Sequence, residues 1–131
     1  MPIETARVER GLYVNRWLGA VTLADIAQVA QAGRALMQAH AETRVVLVND
    51  LGAAKRLPAD VRALRRAAAD SPQVIALLVV NAPSLVRAVA EAQAASAPWP
   101  VGFFDTVEAA CAHGRGLLAG AAAFSERRDG R

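Results

Sequence analysis

The sequence Gln73-Val-Ile-Ala-Leu-Leu-Val-Val80 contains seven consecutive apolar residues, from Val74 onwards. Several of them are β-branched, and turn-forming residues bound the run on both sides, Ser71-Pro72 before it and Asn81-Ala-Pro83 after it. A continuous apolar run of this length is typical of a strand that is buried on both faces of a sheet. We therefore expect this strand at the centre of the fold, between neighbouring strands and with helices shielding it.

A shorter run of the same kind, Val45-Val-Leu-Val48, ends at Asn49-Asp50. Between the two runs lies a segment, from about residue 59 to residue 70, that has the length and the apolar spacing of a helix. Two parallel strands need such a crossover connection. The pattern therefore predicts a small α/β domain.

The N-terminal segment predicts a hairpin followed by a helix. Strand-like runs at 3–9 and 12–18 flank Arg10-Gly11, and a tight turn favours glycine at that point. Thr22 and Asp25 then form a capping-box pattern, and apolar residues at helical spacing continue to His40, where the helix is expected to end.

The C-terminal half predicts two further helices and one strand. A helix begins after Pro83, a strand covers Val101–Phe104, and Asp105 caps the final helix. We expect one domain over residues 1–120. Residues 121–131 should be a disordered tail, because chain ends are poorly ordered unless they dock on the domain.

Composition argues against several classes of protein. Of the 131 residues, 54% are hydrophobic and 21% are charged, which argues against disorder. The net charge of +3 comes without dense basic runs and interleaved aromatics, so nucleic acid is not an expected partner. No apolar run is long enough for a membrane span, and the N-terminus lacks the layout of a signal peptide. The expected compartment is the cytoplasm.

Five segments occur in an order that resembles the STAS domain, and more closely the SpoIIAA-like group of small stand-alone proteins. They are the hairpin GLYVNRWLGAVT, the strand VVLVND, the helix start PADVRAL, the strand and turn IALLVVNAPSL, and the closing segment PVGFFDTVEAA. The resemblance covers about residues 3–118. It implies an α/β fold with a mixed β-sheet of about five strands and about four packing helices.

The same resemblance implies a regulatory or protein-interaction module and not an enzyme. Its expected partner is another protein or a second copy of itself. Many STAS proteins switch partners when a serine or threonine at the start of the helix after the second long strand is phosphorylated. The matching segment here, Leu57-Pro-Ala-Asp-Val61, has no hydroxyl side chain to accept a phosphate. We therefore expect the module to lack the phosphoserine switch.

Basic residues cluster around that helix start. Arg62, Arg65 and Arg66 are three and four residues apart and share one side of the predicted helix. Lys55 and Arg56 precede them in an expected loop. Together with the free N–H groups of the first helical turn, these side chains would hold an anion or an acidic partner surface. The alternative interpretation is a solvated arginine face on an ordinary helix.

Polar residues also gather where the predicted strands end. Ligands of open α/β sheets bind at the carboxyl ends of the strands, and this edge would collect Asn49, Asp50, Asn81, Ser84 and Asp105. The second functional hypothesis is therefore a sensor that binds an anionic or lipid-like small molecule at this rim. Each residue also has a structural interpretation, Asp105 as a helix cap and Asn81 as a turn residue.

No pattern predicts a catalytic residue, a cofactor or a metal site. Cys111 is the only cysteine, and it is two residues from His113 on a predicted helix, so the two side chains point to different sides. The segment Asp50-Leu-Gly-Ala-Ala-Lys55 lacks the second glycine and the Lys-Ser/Thr pair of a phosphate-binding loop. The two histidines and the cysteine have no metal-ligand spacing.

Overall fold

The computed structural model describes residues 2–57, 72–84, 86–88, 91 and 100–129, with the backbone alone from 121 to 129. The elements with defined bounds are, in chain order, β1 (Ile3–Glu9), β2 (Leu12–Ala20), α1 (Leu23–Ala39), β3 (Val45–Arg56), β4 (Val74–Val80), β5 (Val101–Phe104) and α2 (Val107–Asp129). Residues 84 and 86–88 are helical too, as predicted after Pro83. The helix predicted for residues 59–70 lies outside the described residues, and the domain boundary at residue 120 and the disordered tail after it stay predictions.

The strands form one mixed sheet in the order β1-β2-β3-β4-β5. β1 and β2 pair antiparallel as a hairpin, and β2–β3, β3–β4 and β4–β5 pair parallel. The mixed sheet of about five strands is therefore confirmed. The apolar run β4 is paired on both sides, so its predicted place between neighbouring strands is confirmed as well, although the middle strand of the five is β3.

Both faces of the sheet are covered by helices. On one face Leu78 and Val80 of β4 pack with Ala110 and Cys111 of α2. On the other face α1 supplies Ile26, which packs in a cluster with Val79, and Met37, which packs in a cluster with Val74. Because successive side chains of a strand point to opposite faces, a strand between two helical layers needs apolar residues at every position. Each fully buried Val or Leu contributes about 1.5–3 kcal/mol.

β3 is longer than predicted and runs to Arg56. The sequence Gly52-Ala-Ala has low strand propensity, but β2 extends beside it and supplies pairing partners, Leu18 opposite Ala53 and Ala20 opposite Arg56. Two register shifts, between Arg16 and Leu18 and between Gly19 and Ala20, accommodate two extra residues in β3. Lys55 and Arg56 therefore lie on a strand, and their prediction as loop residues was wrong.

The predicted start and end of α1 are confirmed, and the predicted cap of α2 is corrected. Thr22 and Asp25 form the capping box of α1, and His40 is the C-cap of that helix. The cap of α2 is Thr106, whose Oγ1 accepts a hydrogen bond from the Ala109 N–H at 3.1 Å. Asp105 was predicted in this role, but α2 begins at Val107, which places Thr106 and not Asp105 at the capping position.

Gly114 lets α2 lie close to the sheet, and its replacement by valine should destabilise the protein. A methyl group at Gly114 would lie 3.1 Å from Val46 Cγ1 and 3.2 Å from Leu12 Cδ1. We expect Gly114→Val to lower the free energy of unfolding by about 2 kcal/mol through overpacking. Gly116→Val is the matched control, because Gly116 has open space around its Cα. Urea denaturation measures both variants, and equal losses would contradict the close-packing interpretation.

Candidate functional site

The residues predicted to form a ligand rim are divided between the two faces of the sheet. Asn49 and Asp50 are consecutive residues inside β3, and their side chains therefore point to opposite faces. Asn81 and Ser84 follow β4, and both are exposed. The rim was predicted on the assumption that β3 ends at Asp50, whereas the strand continues for six more residues, to Arg56. Ligand binding at this rim stays a prediction.

Asn49 belongs to a polar network that crosses three strands. Its Oδ1 accepts hydrogen bonds from Asn15 Nδ2 at 3.2 Å and from Trp17 Nε1 at 3.1 Å. Thr5 Oγ1 extends the network to β1 with a 2.7 Å bond to Asn15 Oδ1. Asn15 and Trp17 are buried. This network gives Asn49 a structural role, because it links the side chains of β1, β2 and β3.

Asp50 and Asn81 meet over Gly52 on the other face. Asp50 Oδ1 accepts a hydrogen bond from the Gly52 N–H at 2.9 Å. The Asn81 side chain lies so close that a methyl group at Gly52 would be 3.0 Å from its Nδ2. Asn81 itself has a φ of 55° and donates its N–H to the Phe104 carbonyl at 3.0 Å. Its predicted role as a turn residue is confirmed, and a local backbone hydrogen bond engages the Asp50 side chain.

The basic surface predicted for an acidic partner is described in part. Lys55 and Arg56 are exposed at the end of β3, and the Arg56 carbonyl accepts a hydrogen bond from the Val21 N–H at 2.9 Å. The backbone is therefore held while both charged side chains face solvent. Arg62, Arg65 and Arg66 lie outside the described residues, so the combined surface stays a prediction.

A buried charged cluster lies at the opposite, amino end of the parallel strands. It consists of Arg7, Gly11, Tyr13 and Glu42, and we call it the Glu42 cluster. The side chain of Glu42 is only 1% exposed, and it accepts hydrogen bonds from the Gly11 N–H at 2.9 Å and from Arg7 Nε at 3.3 Å. The Tyr13 hydroxyl is buried and interacts with Glu42 and Arg7 electrostatically, but meets no group with hydrogen-bond geometry.

The environment of the Glu42 cluster shifts the pKa values of Glu42 and Tyr13. Burial raises the pKa of Glu42, but the hydrogen bonds from Gly11 and Arg7 and the nearby Tyr13 hydroxyl outweigh burial, so the pKa lies below its ordinary value of 4.5. Burial and then the neighbouring carboxylate raise the pKa of Tyr13. Glu42 is therefore ionised at neutral pH, and Tyr13 stays protonated. Nothing in the sequence around Glu42 signals this cluster.

Next to the cluster is an open cleft of about 480 Å³, which we call the hairpin cleft. The turn of the β1–β2 hairpin, the loop between α1 and β3, and α2 form its walls. Its lining consists of Arg10, Ala41, Glu42, Thr43, Arg44, Leu118 and Ala119. Sequence reasoning missed this cleft, because its residues come from three separate segments of the chain.

The cysteine and histidine residues that were considered for catalysis or metal binding are not arranged for either. Burial raises the pKa of the Cys111 thiol, which disfavours the reactive thiolate. The His113 ring packs on Phe104, with centroids 5.2 Å apart. Within the described part of the chain, no three His, Cys, Asp or Glu residues are grouped as a metal site would need. No helix in that part is long and apolar enough to cross a membrane.

No protein-family model and no curated protein matches the sequence. Solved structures do match. The unphosphorylated anti-sigma factor antagonist SpoIIAA is 17% identical with a TM-score of 0.66, over 87% of this chain and 96% of that chain. The phosphorylated form of the Bacillus cell fate determinant SpoIIAA is 16% identical with a TM-score of 0.60, over 85% of this chain and 97% of that chain.

A third similar structure is an uncharacterized protein from Shewanella loihica with a SpoIIAA-like fold. It is 15% identical with a TM-score of 0.63, over 86% of this chain and 91% of that chain. All three matches span most of both chains at TM-scores between 0.60 and 0.66. The chain therefore has the SpoIIAA-like fold of STAS domains.

Proposed function

We propose that this chain is a non-enzymatic, cytoplasmic regulatory module that works by binding a partner protein or a second copy of itself. The observation that carries the proposal is the likeness of its fold to SpoIIAA, an anti-sigma factor antagonist, in both of its forms. Burial raises the pKa of the Cys111 thiol, so this cysteine is not an activated nucleophile.

The partner is proposed to dock at the carboxyl end of β3. Lys55 and Arg56 are exposed there on a hydrogen-bonded strand, so their backbone is already ordered before binding. The predicted helix with Arg62, Arg65 and Arg66 starts only a few residues further along the chain. A positive surface of this kind favours an acidic partner, which it attracts at long range and orients on contact.

The module is proposed to work without phosphorylation at the helix start. Residues 57–61, Leu-Pro-Ala-Asp-Val, contain no hydroxyl group. Partner exchange would then depend on the concentration of the partner and on salt, because exposed charges are screened within about 10 Å at 0.1 M salt.

A pull-down from a lysate of the source cells tests the proposal. We expect the triple variant Arg62→Glu, Arg65→Glu, Arg66→Glu to lose partners that the natural chain retains, with affinity reduced by about tenfold or more. Arg10→Glu is the control, because it changes a cation at the other end of the sheet. Phosphatase treatment of the module should leave partner retention unchanged. An unchanged set of partners with the triple variant would remove the basic surface, and loss after phosphatase treatment would restore a phosphorylation switch.

A further inference from the structure

The hairpin cleft is fixed by backbone contacts between its walls. The Val46 N–H donates to the Gly11 carbonyl at 2.7 Å, which ties the hairpin turn to β3. Leu118 of α2 packs against the same turn, since a methyl group at Gly11 would be 3.1 Å from its Cδ2. The cleft volume of about 480 Å³ lies within the range of small-molecule sites. The walls of the cleft are therefore held together and are not independent loops.

The lining of the cleft carries an excess of positive charge. Among the described residues of the lining, Arg10 and Arg44 are basic, and Glu42 is the only acidic one. The charge of Glu42 is already compensated by Arg7, which donates to it from outside the lining. Arg10 is exposed and forms no ion pair with any other residue in the described ranges. An anion that enters the hairpin cleft therefore meets positively charged side chains.

Three backbone N–H groups beside the cleft are already used inside the protein. The Gly11 N–H donates to Glu42, and the N–H groups of Ala41 and Glu42 donate to carbonyls of α1. The side-chain donors at the lining that could hold an anion include the Arg10 guanidinium and the Thr43 hydroxyl.

The opposite wall is apolar. On α2, Leu118 is half-buried and Ala119 is exposed, and Ala41 in the loop after α1 adds a further methyl group. Inorganic phosphate would leave this wall unused. A molecule with a charged head and an apolar body would contact both walls.

We propose that the hairpin cleft binds a small amphiphilic anion, with a carboxylate or phosphate head held by Arg10 and an apolar body against Leu118 and Ala119. The site is distinct from the proposed partner surface and lies at the other end of the sheet. A protein with both would bind a partner at one end and a small molecule at the other.

Titration with octanoate and with octyl phosphate, followed by amide chemical shifts in two-dimensional NMR, tests the proposal. We expect saturable shifts at Gly11, Glu42, Leu118 and Ala119. Octyltrimethylammonium, which has the same apolar body and the opposite charge, should produce none of these shifts. Equal shifts with the cation, or no shifts with either anion, would overturn the proposal.

Two variants test the two halves of the site. Arg10→Glu should weaken octanoate binding by about tenfold, because it replaces a charge-assisted hydrogen bond with repulsion. Lys55→Glu makes the same charge change at the far end of the sheet and should leave octanoate binding unchanged. Ala119→Trp should block the cleft, whereas Ala112→Trp, at an exposed position nearer the start of α2, should not. Equal affinities within either pair would overturn the proposal.

Vesicles of phosphatidylcholine and phosphatidylglycerol separate a free ligand from a membrane surface. We expect the protein to remain in solution when such vesicles are sedimented. The contrary result is that the protein sediments with vesicles, that Arg10→Glu abolishes this sedimentation, and that neither octanoate nor octyl phosphate causes shifts. The hairpin cleft would then bind a lipid surface, and the proposal would be overturned. These readouts do not involve the partner protein, so their failure would leave the proposed function untouched.

Discussion

Replacing Gly11 by alanine is expected to lower the free energy of unfolding by about 3 kcal/mol, from backbone strain and from a steric clash together. Gly11 has a φ of 78°, in the left-handed region that residues with a Cβ rarely adopt. The new methyl group would also lie 2.7 Å from the Arg44 carbonyl oxygen, which is closer than real contacts allow. The hairpin turn or the start of β3 must move to relieve the clash.

Gly19→Ala separates the two causes. Gly19 has a φ of 63°, so alanine there would be similarly strained, but nothing lies within 4 Å of an added methyl group. Its loss should be about 1 kcal/mol, from strain alone. Urea denaturation of the natural chain and both variants measures the difference. If Gly11→Ala and Gly19→Ala lower the free energy of unfolding equally, the steric clash with the Arg44 carbonyl does not contribute to the loss.

Glu42→Leu is expected to cost about 3 kcal/mol at neutral pH, because it removes one partner of a buried ion pair. The Gly11 N–H and the Arg7 guanidinium both lose the acceptor that Glu42 provides. Arg7 keeps 28% of its side-chain exposure and can turn towards water, which places the loss at the lower end of the range for such changes. Chemical denaturation at pH 7 measures the loss.

The Glu42→Gln variant tests the electrostatic part of the contribution that Glu42 makes to stability, through its dependence on pH. The pKa of Glu42 in the folded protein lies below 4.5, its ordinary value. The unfolded chain therefore takes up a proton at a higher pH than the folded chain, and stability falls as pH decreases through this range. The contribution of Glu42 is fully present above about pH 4.5 and is lost as pH falls through the folded pKa. Glutamine has no such titration, so the difference between the natural chain and Glu42→Gln should shrink at acid pH. A difference that is constant from pH 7 to pH 3 would contradict the assignment.

The parts of the fold that the sequence predicts are those that short patterns encode. The seven apolar residues of β4 predict a buried strand. Gly11 between two strand-like runs predicts the hairpin. The capping box of α1 needs only Thr22 and Asp25, three residues apart. In each case the interacting groups are near neighbours in the chain, so their spacing is visible in the sequence.

The two local errors show where such patterns fail. The second half of β3 has the composition of a loop, and it is a strand because β2 lies beside it and pairs with it. Asp105 and Thr106 are both good capping residues, and the choice between them depends on where α2 starts when it packs on β3 and β4. Pairing and packing across the sheet override local preference at both places.

The sequence by itself determined the α/β class, the interior apolar strand, the capped start of α1 and the absence of a hydroxyl group in residues 57–61, because each depends on residue type and short spacing. Only the tertiary structure decided that Glu42 is buried and that a cationic cleft lies beside it. The bonds that hold Glu42 join residues 31 and 35 positions apart. No local pattern encodes such contacts, since they exist only once the hairpin turn and the loop after α1 have been brought together by the sheet.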